Sequence, residues 1–196
     1  GAEANEIPAF LHLIISEADR LNLVVGQFLD YARPLHPNRE YIDVNVLLRD
    51  AIEVSRASFH KSEIYWRTEF NQRLPNIRID ASLFQQVLLN LFQNAAQACN
   101  FNGQITVRSK LSKCKNPPHI GQPAIELQVE DNGAGIPPDV KDKLFIPFYT
   151  TKEKGTGLGL AMIQRILEVH EGEIQVFSTV GEGAKFIIRL PILELN

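Results

Sequence analysis

Cysteine is scarce: Cys99 and Cys114 are the only two in 196 residues. Two cannot build a disulfide framework, and they lack the paired spacing of a zinc site, which fits a reducing compartment. Long apolar runs are absent; none approaches the ~20 residues that span a bilayer. No signal-peptide pattern is visible, and Gly1-Ala2 reads as a tag remnant, so the first residue is expected to be an artificial boundary. An excess of either charge is missing, since 20 basic residues against 23 acidic ones leave a formal charge of −3. That balance excludes a bulk electrostatic grip on nucleic acid, though not a local basic pocket. Internal repeats and low-complexity tracts are also missing. What remains is 44% hydrophobic and 22% charged, a globular composition. A chain this long buries roughly 70% of its unfolded surface and needs no staples.

The first element is a helix from about Asn5 to Arg33. Leu11, Ala18, Val25 and Ala32 recur at every seventh position, and Ile14, Leu21 and Phe28 form the matching second seam. This a/d stripe predicts a bundle or dimerisation helix; a surface helix folded back on the following domain is the alternative. No second heptad helix in the chain can cover it. Pro34 and Pro37 then end the helix and open a linker. The expected division is therefore a helix and linker over 1–37 and a domain over 38–196.

Within that domain the pattern predicts a short strand at Tyr41–Val44, a helix at Asn45–Phe59 and a strand at Glu63–Phe70. Asp80 is a candidate N-cap for a long helix, Ala81–Cys99. Strands follow at Gln104–Lys110 and Ala124–Glu130, then a helix at Gly159–His170. A hairpin around Gly181-Glu182-Gly183 closes the chain. Strands and helices mixed on one sheet make the class α+β.

Four local patterns carry chemistry. Asn90 and Asn94 stand at i and i+4, hence on one helix face, while Val87, Leu88, Leu91 and Ala95 face the core. Amide oxygens are neutral, hard ligands suited to Mg²⁺, although paired asparagines also serve as caps or solvated residues. Glu130-Asp131-Asn132-Gly133-Ala134-Gly135-Ile136 follows a strand directly. A carboxylate there can accept a purine amine where glycines let backbone approach closely; a simple strand-ending turn is the plainer reading. Lys143 to Lys152 joins an aromatic cluster, including Phe145 and Phe148, to hydroxyls and a lysine that can reach phosphate. Equally, it can be an apolar anchor with a solvated lysine. Gly155-Thr156-Gly157-Leu158-Gly159 runs straight into a helix, where backbone N–H groups favour anions. The preceding polar residues cannot form the buried strand of a dinucleotide fold, and no P-loop pattern occurs.

In this order, the four patterns resemble the catalytic and ATP-binding domain of bacterial histidine kinases, in the ATPase superfamily shared with gyrase, MutL-type repair proteins and heat-shock chaperones. Asn90 and Asn94 match the N box, Asp131, Gly133 and Gly135 the first glycine box, Phe145 and Phe148 the F box, and Gly155, Gly157 and Gly159 the second glycine box. The short gap from Tyr149 to Gly155, and the first helix, look like the nitrogen-regulation type of sensor kinase. The resemblance implies a two-layer sandwich of the Bergerat type, with a mixed sheet of about five strands and helices on one face, preceded by the heptad helix. It implies ATP and Mg²⁺ as ligands. Asn94 would ligate the metal and Asn90 would contact the phosphate–metal region, the two being the catalytic pair. Asp131 would bind the adenine amine, with Gly133, Gly135 and Ile136 around the base. Lys152, Thr156, Gly157, Leu158 and Gly159 would cradle the phosphates. A response regulator is the implied partner, with a homodimer through the first helix in the intact protein. No nucleic acid and no direct membrane contact are expected, and the implied location is cytoplasmic, whether or not the parent is membrane-anchored.

Two positions refine that expectation. Hydrolysing members of the superfamily carry a glutamate four residues before the metal asparagine; here Asn90 stands there, and an amide cannot take a proton at neutral pH. Phosphoryl transfer to a separate acceptor is the implied reaction. The family's phosphoacceptor is a histidine followed by an acidic residue, then Arg and Pro. None of the five histidines, His12, His36, His60, His119 and His170, has that context. His12 falls beside the heptad seam and the others are expected to be loop, surface or capping residues, so the acceptor helix is expected to lie outside this chain.

Overall fold

The computed structural model describes residues 3–59, 62–152 and 155–193. Helix α1 (Glu3–Ala32) is followed by β1 (Glu40–Ile42), α2 (Val44–Ser58), β2 (Glu63–Phe70), β3 (Ile77–Ile79) and α3 (Ala81–Ala98). Then come β4 (Asn102–Lys113), β5 (Pro123–Asp131), the single turn α4 (Pro138–Lys141), α5 (Gly159–Glu168), β6 (Glu173–Thr179) and β7 (Gly183–Pro191). Among the described residues no helix is long and apolar enough to cross a membrane.

Five strands form one mixed sheet in the order β2-β4-β5-β7-β6, with β2 parallel to β4 and the other pairs antiparallel. Register decides its two faces. Trp66, Ile105, Asp131 and Ala184 lie in one cross-strand row; Val107, Val129 and Phe186 lie in the next. These side chains share a face because the strand period is two. Helices α2, α3 and α5 cover that face, and α3 sits at its centre, with Phe84, Val87, Leu88, Leu91 and Phe92 buried. Trp66 of the edge strand closes edge-to-face on Phe92, ring centres 5.1 Å apart. The opposite face is polar, and cross-strand charges neutralise one another. Arg189 bonds Glu126 at 2.7 Å and Glu173 at 3.1 Å, while Glu130 pairs with Arg108 and with Lys185.

Differences from the sequence pattern are local. The expected strand over Tyr41–Val44 ends at Ile42, because the Asp43 carboxylate accepts the Asn45 N–H at 2.8 Å and caps α2. Strands β1 and β3 pair antiparallel as a small second sheet. Three-residue strands carry no periodicity to announce such a pairing. The linker is pinned rather than free: Asn38 N–H donates to Asp80 Oδ2 at 2.8 Å, and Arg165 donates to the Arg33 carbonyl at 3.2 Å.

Helix α1 divides along its length. All seven heptad residues are exposed, with Leu11, Ile14, Leu21, Val25 and Phe28 each at least 45% accessible. Its C-terminal end nevertheless touches the domain. Phe28 lies 6.0 Å from Phe148, ring centre to ring centre, and Arg165 sits over the Tyr31 ring at 5.0 Å.

Candidate functional site

One cavity of about 480 Å³ opens between α3, the turn after β5, and the segment leading into α5. Its volume suits a ligand of nucleotide size. The sequence-selected residues Asn90, Asn94, Asp131, Gly135, Ile136, Lys152, Gly155, Thr156, Gly157, Leu158 and Gly159 all line it. Gly133 does not. A Cβ there would meet the Ala98 backbone at 2.5 Å, so this glycine lets the turn close against α3 rather than face a ligand. Phe145 also lies elsewhere, lining a second crevice beside the α5–β6 turn.

Asp131 ends β5 on the apolar side of the sheet, in the row occupied by core residues, and is 5% exposed. Its Oδ1 accepts the Gly133 N–H at 2.9 Å and the Ala184 N–H at 3.3 Å. No hydrogen bond to Oδ2 occurs among the described residues, which leaves that oxygen for a donor in the cavity. Burial raises its pKa, the two backbone N–H groups oppose the rise, and the neighbouring Glu130 charge adds to it. The following glycine is obligatory: Gly135 has φ +72°, and a Cβ would fall 2.1 Å from the Thr179 carbonyl oxygen.

The second glycine turn is held by the aromatic segment. Phe148 N–H donates to the Gly157 carbonyl at 3.1 Å, and a Cβ on Gly157 would lie 2.5 Å from the Phe148 carbonyl carbon. Helix α5 starts without a side-chain cap. Its first N–H groups therefore lack intrahelical acceptors beside the cavity, the arrangement that attracts anions.

On α3, Asn94 Oδ1 accepts from Lys152 Nζ at 2.9 Å, and Gln97 Oε1 accepts from the same ammonium at 2.5 Å. Lys152 as a residue is exposed, but desolvation around its head lowers its pKa from the ordinary 10.5. Two amide oxygens thus already converge on a cation. Among the described residues no cluster of His, Cys, Asp or Glu offers another metal seat. The donor set present at Asn94 fits a hard cation such as Mg²⁺.

Gln97 was not selected from the sequence, although its i+3 spacing from Asn94 puts the two on one helix face. Gln27 and Asp30 of α1 also line the cavity, and only the tertiary placement of α1 brings them there. Of the histidines, His12 and His36 are exposed, His119 pairs with Glu171 at 2.9 Å, and His60 lies outside the described residues. His170 is buried and caps α5, its Nδ1 lying 2.7 Å from the Ile166 carbonyl.

A mixed sheet with helices on one face and a pocket of amides, one buried acid and glycine turns defines an ATPase-type α+β domain. The chain belongs to the family described as histidine kinase-, DNA gyrase B- and HSP90-like ATPase, matched over residues 79–194. It is 37% identical over 192 residues to the sensor histidine kinase ZraS of Escherichia coli strain K12, covering 98% of this chain and 39% of that protein. It is 33% identical to the sensory histidine kinase/phosphatase NtrB of Vibrio alginolyticus, covering 94% of this chain and 53% of that one. NtrB is thus one relative among several sensor histidine kinases. The chain spans well under half the length of ZraS. Among solved structures, the catalytic domain of histidine kinase ThkA matches with TM-score 0.67 and 30% identity, over 79% of this chain and 96% of that one. ThkA in complex with the response regulator TrrA matches with TM-score 0.74 and 27% identity, over 94% of this chain and 51% of that one. The chain therefore carries the catalytic domain of a sensor histidine kinase.

Proposed function

We propose that this chain is the ATP-binding kinase core of a two-component sensor, moving the γ-phosphoryl of Mg-ATP to a histidine outside the chain, for relay to a response-regulator aspartate. In that transfer the bond from the γ-phosphorus to the β,γ-bridging oxygen breaks, a bond to the acceptor imidazole nitrogen forms, and ADP leaves. The observation that carries the reading is that Asp131 and Asn94 line one cavity, one from β5 and one from α3.

Each residue has a distinct task. Asp131 Oδ2 accepts the adenine amine, a hydrogen bond that discriminates more sharply than apolar fit. Gly135 and Ile136 border the base. Asn94 holds Mg²⁺, with Asn90 one turn away beside the phosphates; when bound, the metal neutralises phosphate charge. The Thr156–Gly159 turn and the uncapped start of α5 offer N–H groups to phosphate oxygens, and Lys152 adds a point charge. Positioning and charge neutralisation are what phosphoryl transfer chiefly requires. Asn90 in place of a carboxylate favours transfer over hydrolysis, since it cannot accept a proton from water.

The division into 1–37 and 38–196 is part of the same reading. The exposed heptad stripe of α1 supports a dimer formed through that helix in the intact protein. The response-regulator partner is supported by ThkA bound to TrrA. A cytoplasmic location follows from the need for ATP.

The test is thermal unfolding with a non-hydrolysable ATP analogue, with and without Mg²⁺. Ligand at 100 times its Kd adds about 2.7 kcal/mol to the parent. Asp131→Asn weakens nucleotide binding, and Asn94→Ala removes its Mg²⁺ dependence. If both variants bind as the parent does, the assignment fails. Labelled ATP with a histidine-bearing helix supplied in trans then distinguishes a kinase, which labels the helix, from a nucleotide-binding module, which does not.

A further inference from the structure

The Lys152 ammonium rests on Asn94, the residue proposed to hold the metal. Its Nζ donates to Asn94 Oδ1 at 2.9 Å and to Gln97 Oε1 at 2.5 Å. The backbone supports that pose: Lys152 N–H donates to Thr150 Oγ1 at 3.1 Å, and the Lys152 carbonyl accepts the Gly155 N–H at 3.0 Å. The side chain is therefore stationed from a backbone position held at both its N–H and its carbonyl. An ammonium carries three donors and no acceptor, so two amide oxygens and water satisfy it fully.

We infer that Lys152 is a resident counter-cation: in the nucleotide-free protein its ammonium occupies the amide seat on α3, and a divalent metal arriving with nucleotide must displace it. This rests on the nucleotide-binding reading above and deepens it. The same lysine serves two states in turn, since displacement from Asn94 frees its charge for the phosphates. Charge balance explains the exchange. A metal bound to triphosphate outcompetes one ammonium for neutral oxygens, whereas the free metal, without phosphate ligands, gains little from neutral amides alone. The seat is thus closed to free metal and opens to the metal–nucleotide pair. Gln97 acquires a role of its own as a positioning residue: it holds the ammonium in the empty state and has no part in gripping bound nucleotide.

Two measurements test this. The first needs no nucleotide. In the nucleotide-free protein, Lys152→Met shifts the side-chain amide resonances of Asn94 and Gln97 in a nitrogen–proton correlation spectrum, the rest of the spectrum showing an intact fold. Unshifted amides overturn the tether, whatever the chain binds. The second is stopped-flow binding of trinitrophenyl-ATP with Mg²⁺ to Gln97→Leu. Losing one of two charge-assisted acceptors raises the association rate about threefold or more, with dissociation unchanged within about twofold. If Gln97→Leu instead accelerates dissociation, or raises the Mg²⁺ needed for half-saturation, Gln97 grips the bound ligand and the inference fails. An unchanged association rate also overturns it. If the parent binds no nucleotide at all, the functional reading fails, and the resonance test still decides whether the tether exists.

Discussion

His170 Nε2 accepts the backbone N–H of Asp80 at 2.9 Å, across 90 positions of sequence. Asp80 in turn caps α3 through Oδ1 on the Leu83 N–H at 3.0 Å, and α3 is the helix that presents Asn90 and Asn94. The end of α5 thus sets where the start of α3 lies. The Nε2 acceptor must be unprotonated, and Nδ1 carries the proton towards the Ile166 carbonyl.

Replacing His170 by Leu leaves the Asp80 N–H without its acceptor and costs about 1–3 kcal/mol in urea unfolding. The pH dependence follows from its titration. Burial, with the Arg39 charge adding to it, holds the folded pKa below the ordinary 6.5. Above 6.5 both states are neutral and no penalty arises. As pH falls below 6.5 the unfolded chain takes up the proton first, so stability declines toward the lower folded pKa. His170→Leu removes that part of the slope.

Glu126 governs a more acidic window. Burial alone would raise its pKa, but hydrogen bonds from Gln128, Lys110, Arg189 and Ser112 outweigh it and take the carboxyl from 4.5 down to about 2. The stability this contributes is complete above 4.5 and is lost as pH falls to about 2. Unfolding midpoints measured across that window fall steeply for the parent. Glu126→Gln is less stable at neutral pH, because Arg189 keeps its burial and loses a charged partner, and its acid limb is flatter.

The Phe28–Phe148 contact links α1 to the segment that holds the second glycine turn. A double-mutant cycle with Phe28→Ala and Phe148→Ala yields a coupling energy of about 0.5–1.5 kcal/mol. Additive single effects would mean that α1 and this segment do not communicate through the rings.

Two glycines behave oppositely. Gly26 lies in α1, and a Cβ added there would have nothing within 4 Å, so Gly26→Ala raises helicity by circular dichroism, a gain of about 1 kcal/mol in helix propensity. Gly133→Ala drives a Cβ to 2.5 Å from the Ala98 backbone and destabilises the domain by about 1–3 kcal/mol.

Much of this protein is local and therefore legible in the chain. Asp80 and the apolar period after it specify α3, and the alternation in β4 and β5 specifies strands whose inner face is Ile105, Val107, Leu127 and Val129. The asparagines, the acid Asp131 and the second glycine run, chosen from the sequence, line one cavity, whereas Gly133 and Phe145 do not. Tertiary structure alone decided the rest. Short strands β1 and β3 pair although α2 and β2 separate them in sequence, so their meeting is set by packing and not by any local pattern. Gly133 packs on Ala98, and Lys152 rests on Asn94 and Gln97, because separate elements converge there. A pattern within one element records its own hydrogen bonds and its buried face, whereas a contact between distant elements depends on how they are packed.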